Sequence, residues 1–351
     1  AKNFLINGNM SVAQRGNASG AQNFAHDGQT YHYGPVDRYR WGVNAYESLD
    51  GTVTRVTDVP SGERFERSMK WTTGTAEADA NEAGEYHYVT QKIEACNCQS
   101  LKYGTADAQQ TTLQFYVKSS ITGTYACGLY KPDNTGRVHM KTYTISAANT
   151  WEKKTITFAA DTGGGGINND FGEGLWVVWH LGAGSDHKGG DSSSGWQNYS
   201  SSYWANGQGT NAIQTTAGAT WLITGAQFEV GTLATDFEHK PFHEDLRDCM
   251  RYYYQSNYGS QFTTGDLYFG QDVRNLHIAF PENMRANPSV TTCNDVSLSS
   301  GGGSGHYVVH GVNNYTDGAQ LHSTPNQFIM YTPNRSSSTP TKTGFKADAE
   351  I

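Results

Sequence analysis

Between Gly182 and Gly209 the chain sets Trp196, Gln197, Asn198, Tyr199, Tyr203, Trp204 and Asn206 among serines and glycines. Flat π faces beside amides are the groups that hold a sugar, because the ring covers the apolar side of a pyranose while the amides bond its hydroxyls. The same rings could instead pin the loop to the body of the protein or meet a neighbouring subunit, and the sequence leaves these alternatives open. A loop this long on a sheet scaffold is of the kind that carries function.

Other groupings of reactive residues fall short of a site. Asp161, Asn168, Asn169, Asp170 and Glu173 place hard oxygens around a glycine run, the donor type calcium prefers, but they match no EF-hand, and a solvated turn is expected. His243-Glu244-Asp245-Leu246-Arg247 lacks the second histidine of a zinc-protease helix, and Pro241 separates His239 from His243. Ser304 sits in the glycine-serine tip Ser299–Gly305 without the strand-turn-helix setting of a nucleophile elbow. Carboxylate pairs for glycoside cleavage are decided by separation in space, not in sequence. The expectation is a non-enzyme without catalytic residues, metal or cofactor.

Trp176 and Trp179 lie in the apolar run Leu175–Leu181 and read as core and interface, as do Tyr252, Tyr253 and Tyr254. The five cysteines, Cys96, Cys98, Cys127, Cys249 and Cys293, are odd in number and scattered, so they read as reduced structural thiols. A formal charge of −8 with no basic stripe argues against nucleic acid as a partner. No apolar run is long enough to span a bilayer as a helix, so membrane insertion is not expected.

The elements that must position these residues are strands. With 40 glycines, 12% aromatic and only 17% charged residues, the 351-residue chain suits short strands joined by tight turns. Alternation predicts strands at Thr52–Thr57, Arg67–Thr72, Tyr86–Ile93, Thr111–Lys118, Tyr125–Tyr130, Lys141–Ile145, Lys153–Phe158, Leu175–Leu181 and Thr220–Val230. The Asn7-Gly8 pair predicts a hairpin over Asn3–Met10, followed by a polar loop to Tyr33. From Glu244 to Tyr254, Leu246, Cys249, Met250 and Tyr253 share one face of a helix whose acids open its first turn. Beyond it, strands are expected at Gln261–Phe269, Val273–Phe280, Ser289–Cys293, His306–Val312, Gln327–Tyr331 and Gly344–Asp348, with a polar loop at Asn334–Thr341. The resulting fold class is all-β: an N-terminal hairpin and loop (1–36), a jelly-roll-like β-sandwich (37–240), a connecting helix (241–256) and a smaller C-terminal β domain (257–351).

Several stretches carry a resemblance. NFLINGNMSVAQRG from Asn3, DRYRW from Asp37, TLQFYVKSSITGTYACGLY from Thr112, TYTISAANTWEKKTITF from Thr142, GLWVVWHLGAGS from Gly174, the run Trp221–Tyr254, FPENMRANPSVT from Phe280 and the closing KADAEI resemble bacteriophage and prophage tail-fibre proteins. The resemblance implies a virion component, assembled in the bacterial host cytoplasm and usually a homotrimer, whose sandwich is like carbohydrate-binding modules. It brings no catalytic residue. Its implied partners are further copies of the chain, other virion proteins and host cell-surface polysaccharide. Full tail fibres begin with an adaptor, whereas this chain starts at the sandwich, so it resembles a fragment, a short fibre or a decorating protein of tail or capsid. Three functions follow: receptor-binding fibre, structural or decorating virion protein without glycan binding, and polysaccharide depolymerase. The regular short-coil repeat of the solenoids on which fibre depolymerases are usually built is absent.

Overall fold

The computed structural model describes residues 3–15, 21–24, 30–44, 46–79, 81–255, 273–292, 320–333 and 345–351. The strands expected at 261–269 and 306–312, the tip at 299–305, the loop at 334–341 and Cys293 lie outside them. Contacts divide the chain into two compact units, 1–245 with Ile351 and 246–350.

The first unit is an antiparallel sandwich. Its strands are β1 (Ala21–Phe24), β2 (Thr30–Tyr33), β3 (Arg40–Asn44), β4 (Gly51–Val56), β5 (Ser68–Thr73), β6 (Tyr86–Glu94), β7 (Thr111–Ser119), β8 (Gly123–Lys131), β9 (Arg137–Ile145), β10 (Glu152–Phe158), β11 (Glu173–Ala183), β12 (Gln197–Asn198) and β13 (Thr220–Val230). One sheet has six strands in the order β1-β4-β5-β13-β7-β10, the other seven in the order β12-β9-β8-β11-β6-β3-β2. The fold is thus all-β, a jelly-roll-like sandwich followed by one short helix and a smaller C-terminal β region. Inner-facing side chains of both layers interdigitate, with Trp41, Trp71, Trp179 and Trp221 fully buried. Trp41 stacks on Trp71 at 5.5 Å and meets Trp221 edge-on at 6.3 Å, the offset geometries that ring quadrupoles favour.

The N-terminal segment departs from expectation. Asn3–Met10 forms turns, not a hairpin, because its partner is distant in sequence. The pairing of β13 with β7 shifts register between Thr224 and Gln227, leaving β13 backbone groups to be satisfied elsewhere. Phe4 N–H donates to the Phe228 carbonyl (2.9 Å) and Ala226 N–H to the Gly8 carbonyl (3.0 Å). A Cβ on Gly8 would stand 2.1 Å from the Ala226 oxygen, so only glycine fits there. Asn7, at φ 58°, donates its amide to the carbonyls of Val12 (2.9 Å) and Asp37 (3.1 Å). The loop expected up to Tyr33 contributes β1 and β2, one to each sheet.

The helix α1 (Phe242–Met250) falls within the 241–256 segment, starting before the Glu244 that opens the periodic pattern and ending well short of 256, with Glu244 and Asp245 in its first turn. Tyr253, assigned to the helix by periodicity, belongs to a strand. In the second unit β14 (Tyr253–Gln255), β15 (Val273–Ala279), β16 (Ser289–Thr292), β17 (Gln320–Thr324), β18 (Gln327–Pro333) and β19 (Phe345–Asp348) form two three-stranded sheets, β14-β19-β16 and β15-β18-β17. Arg285 ties this unit's ends together, its N–H donating to the Arg251 carbonyl and its Nε to the Ala349 carbonyl, each at 2.8 Å.

Candidate functional site

The seven-stranded sheet has two apolar faces. Inward go Trp41, Val43, Val89, Ile93, Cys127, Leu129, Leu175, Val177 and Trp179, members of the sandwich core. Period two then sends the alternate residues outward, where a sheet with one buried face is ordinarily polar. Here they are largely aromatic. On β6 they are Tyr86, Tyr88, Thr90 and Lys92; across from them on β11 stand His180 opposite Tyr88, Val178 opposite Thr90 and Trp176 opposite Lys92. Tyr130 pairs with Trp176, Arg40 with Thr90, and Tyr31 with Gly42. Tyr88, Val138, Met140, Val178 and Trp204 form a buried cluster, with Tyr31, Tyr86, Tyr130, Trp176 and Tyr203 half-buried around it. Gly42 makes room for this layer: a Cβ there would meet the Tyr88 ring at 2.6 Å.

The loop singled out by sequence folds over this face, and its residues part ways. Trp204 is its keystone, edge-on to Tyr88 at 5.4 Å, His180 at 5.4 Å and Tyr130 at 5.7 Å, and 6% exposed. Tyr203 lies where a Gly190 Cβ would be 2.1 Å from its ring. Tyr199 packs against Tyr130 at 5.0 Å yet remains 45% exposed. Trp196 points the other way, into the sandwich core, its Nε1–H donating to the Ala159 carbonyl (2.7 Å). Gln197 and Asn198 are β12, paired to the edge of β9, and the Asn198 side-chain Oδ1 accepts from Arg137 Nη1 (2.9 Å). Asn206 braces the loop, donating to the Gly190 carbonyl and accepting from Ser192 N–H (3.3 Å). Of the seven, Tyr199, Tyr203 and Trp204 join the aromatic face; the other four hold the loop or its edge.

Charged groups rim the face. Lys92 Nζ lies 2.6 Å from Glu173 Oε1 and 4.3 Å from the Trp176 ring centroid, while Trp176 Nε1–H donates to Glu173 Oε2 at 2.8 Å. The Arg40 guanidinium lies over the Tyr31 ring at 4.6 Å, and the Tyr31 and Tyr86 hydroxyls are 2.6 Å apart. Burial raises the pKa of Tyr88, Tyr130 and Tyr199, so these phenols stay protonated across the biological range and offer hydroxyl groups only. Phenol hydroxyls, ring faces and charged tips arranged on one rigid sheet match the chemistry that binds a polar ring compound.

No family model matches the chain, and no curated protein matches it. Among solved structures, a putative sugar binding protein from Bacteroides thetaiotaomicron VPI-5482 is similar at TM-score 0.34 and 13% identity, over 66% of this chain and 100% of that one. TmCBM61 in complex with β-1,4-galactotriose gives 0.29 and 11%, over 66% and 100%. The enzymatically active domain of bacteriophage CBA120 tailspike protein 4 gives 0.33 and 13% over 65% of this chain, which spans only 21% of that one. At these values no residue correspondence is drawn from them.

Tyr31, Arg40, Tyr86, Tyr88, Lys92 and Tyr130 were not singled out by sequence. Their signal, aromatics two apart in Tyr86-His87-Tyr88, is blurred because polar and apolar residues occur at both parities of β6, His87 and Gln91 alternating with Val89 and Ile93 on one and Thr90 and Lys92 following the tyrosines on the other. Trp176 corrects the expectation of core: Trp179 is fully buried, whereas Trp176 has the opposite parity and faces outward. The oxygens of the calcium candidate are engaged by protein groups. Asp161 is engaged by Lys131 (3.1 Å) and Arg137 (3.0 Å), Asn168 bonds Asp133, and among the described residues no group of three or more His, Cys, Asp or Glu could hold a metal ion.

Proposed function

We propose that the outer face of the seven-stranded sheet is a glycan-binding surface, and that the chain is a receptor-binding component of a phage fibre. The observation that carries the glycan reading is the half-buried aromatic layer of Tyr31, Tyr86, Tyr130 and Trp176, with exposed Tyr199 at its margin, on the face turned away from the core. The sequence resemblance to tail-fibre proteins supports the virion setting, assembly in the bacterial cytoplasm and a homotrimer, in which three weak sites would gain avidity.

Tyr199→Ala tests the surface at little risk to the fold, since the ring is partly in solvent. Loss of one stacking ring should weaken polysaccharide retardation in affinity electrophoresis roughly tenfold. Undiminished retardation would remove this face from the glycan reading. If the layer instead serves a structural virion protein by meeting another copy, the same variant would change the oligomer mass in light scattering and no polysaccharide would be bound. A depolymerase would release reducing ends on incubation with host polysaccharide.

A further inference from the structure

Cations and carboxylates share this face, Glu173 and Glu94 standing opposite each other at the ends of β11 and β6. The chain carries a formal −8, yet the side of the face formed by β3 and β6 presents Arg40 and Lys92, with Arg38 buried beneath. Arg38 Nη2 donates to the Lys92 carbonyl at 2.7 Å, and Arg38 and Arg40 both act electrostatically against the Lys92 ammonium. Glu173 answers Lys92, at 2.6 Å. Among the described residues Arg40 has no ion pair and no hydrogen bond; its guanidinium is held only by the Tyr31 ring.

An arginine held over a tyrosine ring keeps a planar fork of donors that can take two oxygens of one anion. Arg40 lies across β6 from Val178, about 10 Å away at two strand spacings, with the Lys92–Trp176 pair in the next row of the same face. A saccharide lying across β6 would therefore meet aromatic rings and the unpaired guanidinium together.

Resting on the glycan reading above, we infer that the ligand is an acidic glycan, whose anionic substituent, a uronic-type carboxylate or an ester sulfate, is taken by Arg40. Neutral polysaccharides would leave this guanidinium unanswered and bind more weakly.

The test is affinity electrophoresis of the whole chain in gels containing polygalacturonate, alginate, hyaluronan or polysialic acid, each beside its carboxyl-reduced counterpart, and dextran sulfate beside dextran. Wild-type protein should be retarded by anionic members and about tenfold less by their neutral counterparts, with the difference shrinking in high salt. Arg40→Gln should erase that preference, Arg40→Lys should restore part of it, and Tyr199→Ala should weaken anionic and neutral members alike. Retardation confined to the carboxylated set or to dextran sulfate identifies which anion is read. Equal retardation by neutral counterparts, or an Arg40→Gln protein that keeps its preference, overturns the acidic-glycan inference and leaves the glycan reading standing. Failure of every polymer to retard the wild type overturns both.

Discussion

At the scale of single residues, Asp161 shows how a cation position is filled without a metal. Its carboxylate is fully buried, with Lys131 Nζ, itself fully buried, 3.1 Å from one oxygen and Arg137 Nη2 3.0 Å from the other. The same ammonium donates to the carbonyls of Gly163 and Gly165, so the glycine run folds around it. Removing Lys131 leaves Asp161 Oδ2 buried without a partner while Arg137 still holds Oδ1, and Lys131→Met should therefore cost about 1–3 kcal/mol in urea unfolding. Because the ammonium already neutralises Asp161, calcium or a chelator should leave the wild-type midpoint where it is. A loss below about 1 kcal/mol in Lys131→Met would mean that water reaches the carboxylate. The sequence displayed the oxygens of this loop but not their partners, since Lys131 and Arg137 come from strands whose placement only the fold determines.

At the scale of elements, legibility followed periodicity. Strands with alternating apolar residues, such as β4, β7 and β13, were readable to within a residue or two. From Leu175 to Trp179 the apolar run is continuous, so parity vanished and Trp176 could not be told from Trp179. The N-terminal segment failed for another reason: Asn7-Gly8 satisfies the local rule for a hairpin, while the bulge in β13 that claims its backbone lies more than two hundred residues on. The aromatic loop is the remaining case. Its composition announced binding, but Trp204 packs inward against Tyr88, Tyr130 and His180. Trp204→Ala should thus destabilise the sandwich by about 3–5 kcal/mol and expose the 184–209 segment to proteolysis. Protection equal to wild type would show that the loop is held by its backbone bonds instead, such as Ala205 N–H to the His187 carbonyl.

At the scale of the molecule, the first unit carries three histidines in neutral form. Burial drives His87 and His180 down to about 3 and His139 down to about 4. His87 meets the Trp71 ring edge-on at 4.4 Å and accepts from Gln214 Nε2 at 3.1 Å; His139 donates from Nδ1 to the Ser192 carbonyl (2.7 Å) and accepts from Ala159 N–H (3.2 Å). An unfolded histidine titrates near 6.5, so as pH falls below about 6.5 the unfolded chain takes up protons that the folded one refuses, and stability declines until the folded groups titrate. Three such groups give a slope approaching about 4 kcal/mol per pH unit, against a total stability of about 5–15 kcal/mol. Asp37, raised by burial, and Glu85, pushed up to about 7 by burial, work in the opposite direction between their folded and unfolded pKa values and offset part of the loss. The sandwich should therefore unfold on acidification with a midpoint of about pH 4–5, followed by fluorescence of its buried tryptophans. Stability that stays level between pH 7 and 5 would show that these imidazoles take up protons in place, which in turn requires water to reach His87 and His139 between the two sheets and His180 beneath Trp204 on the outer face.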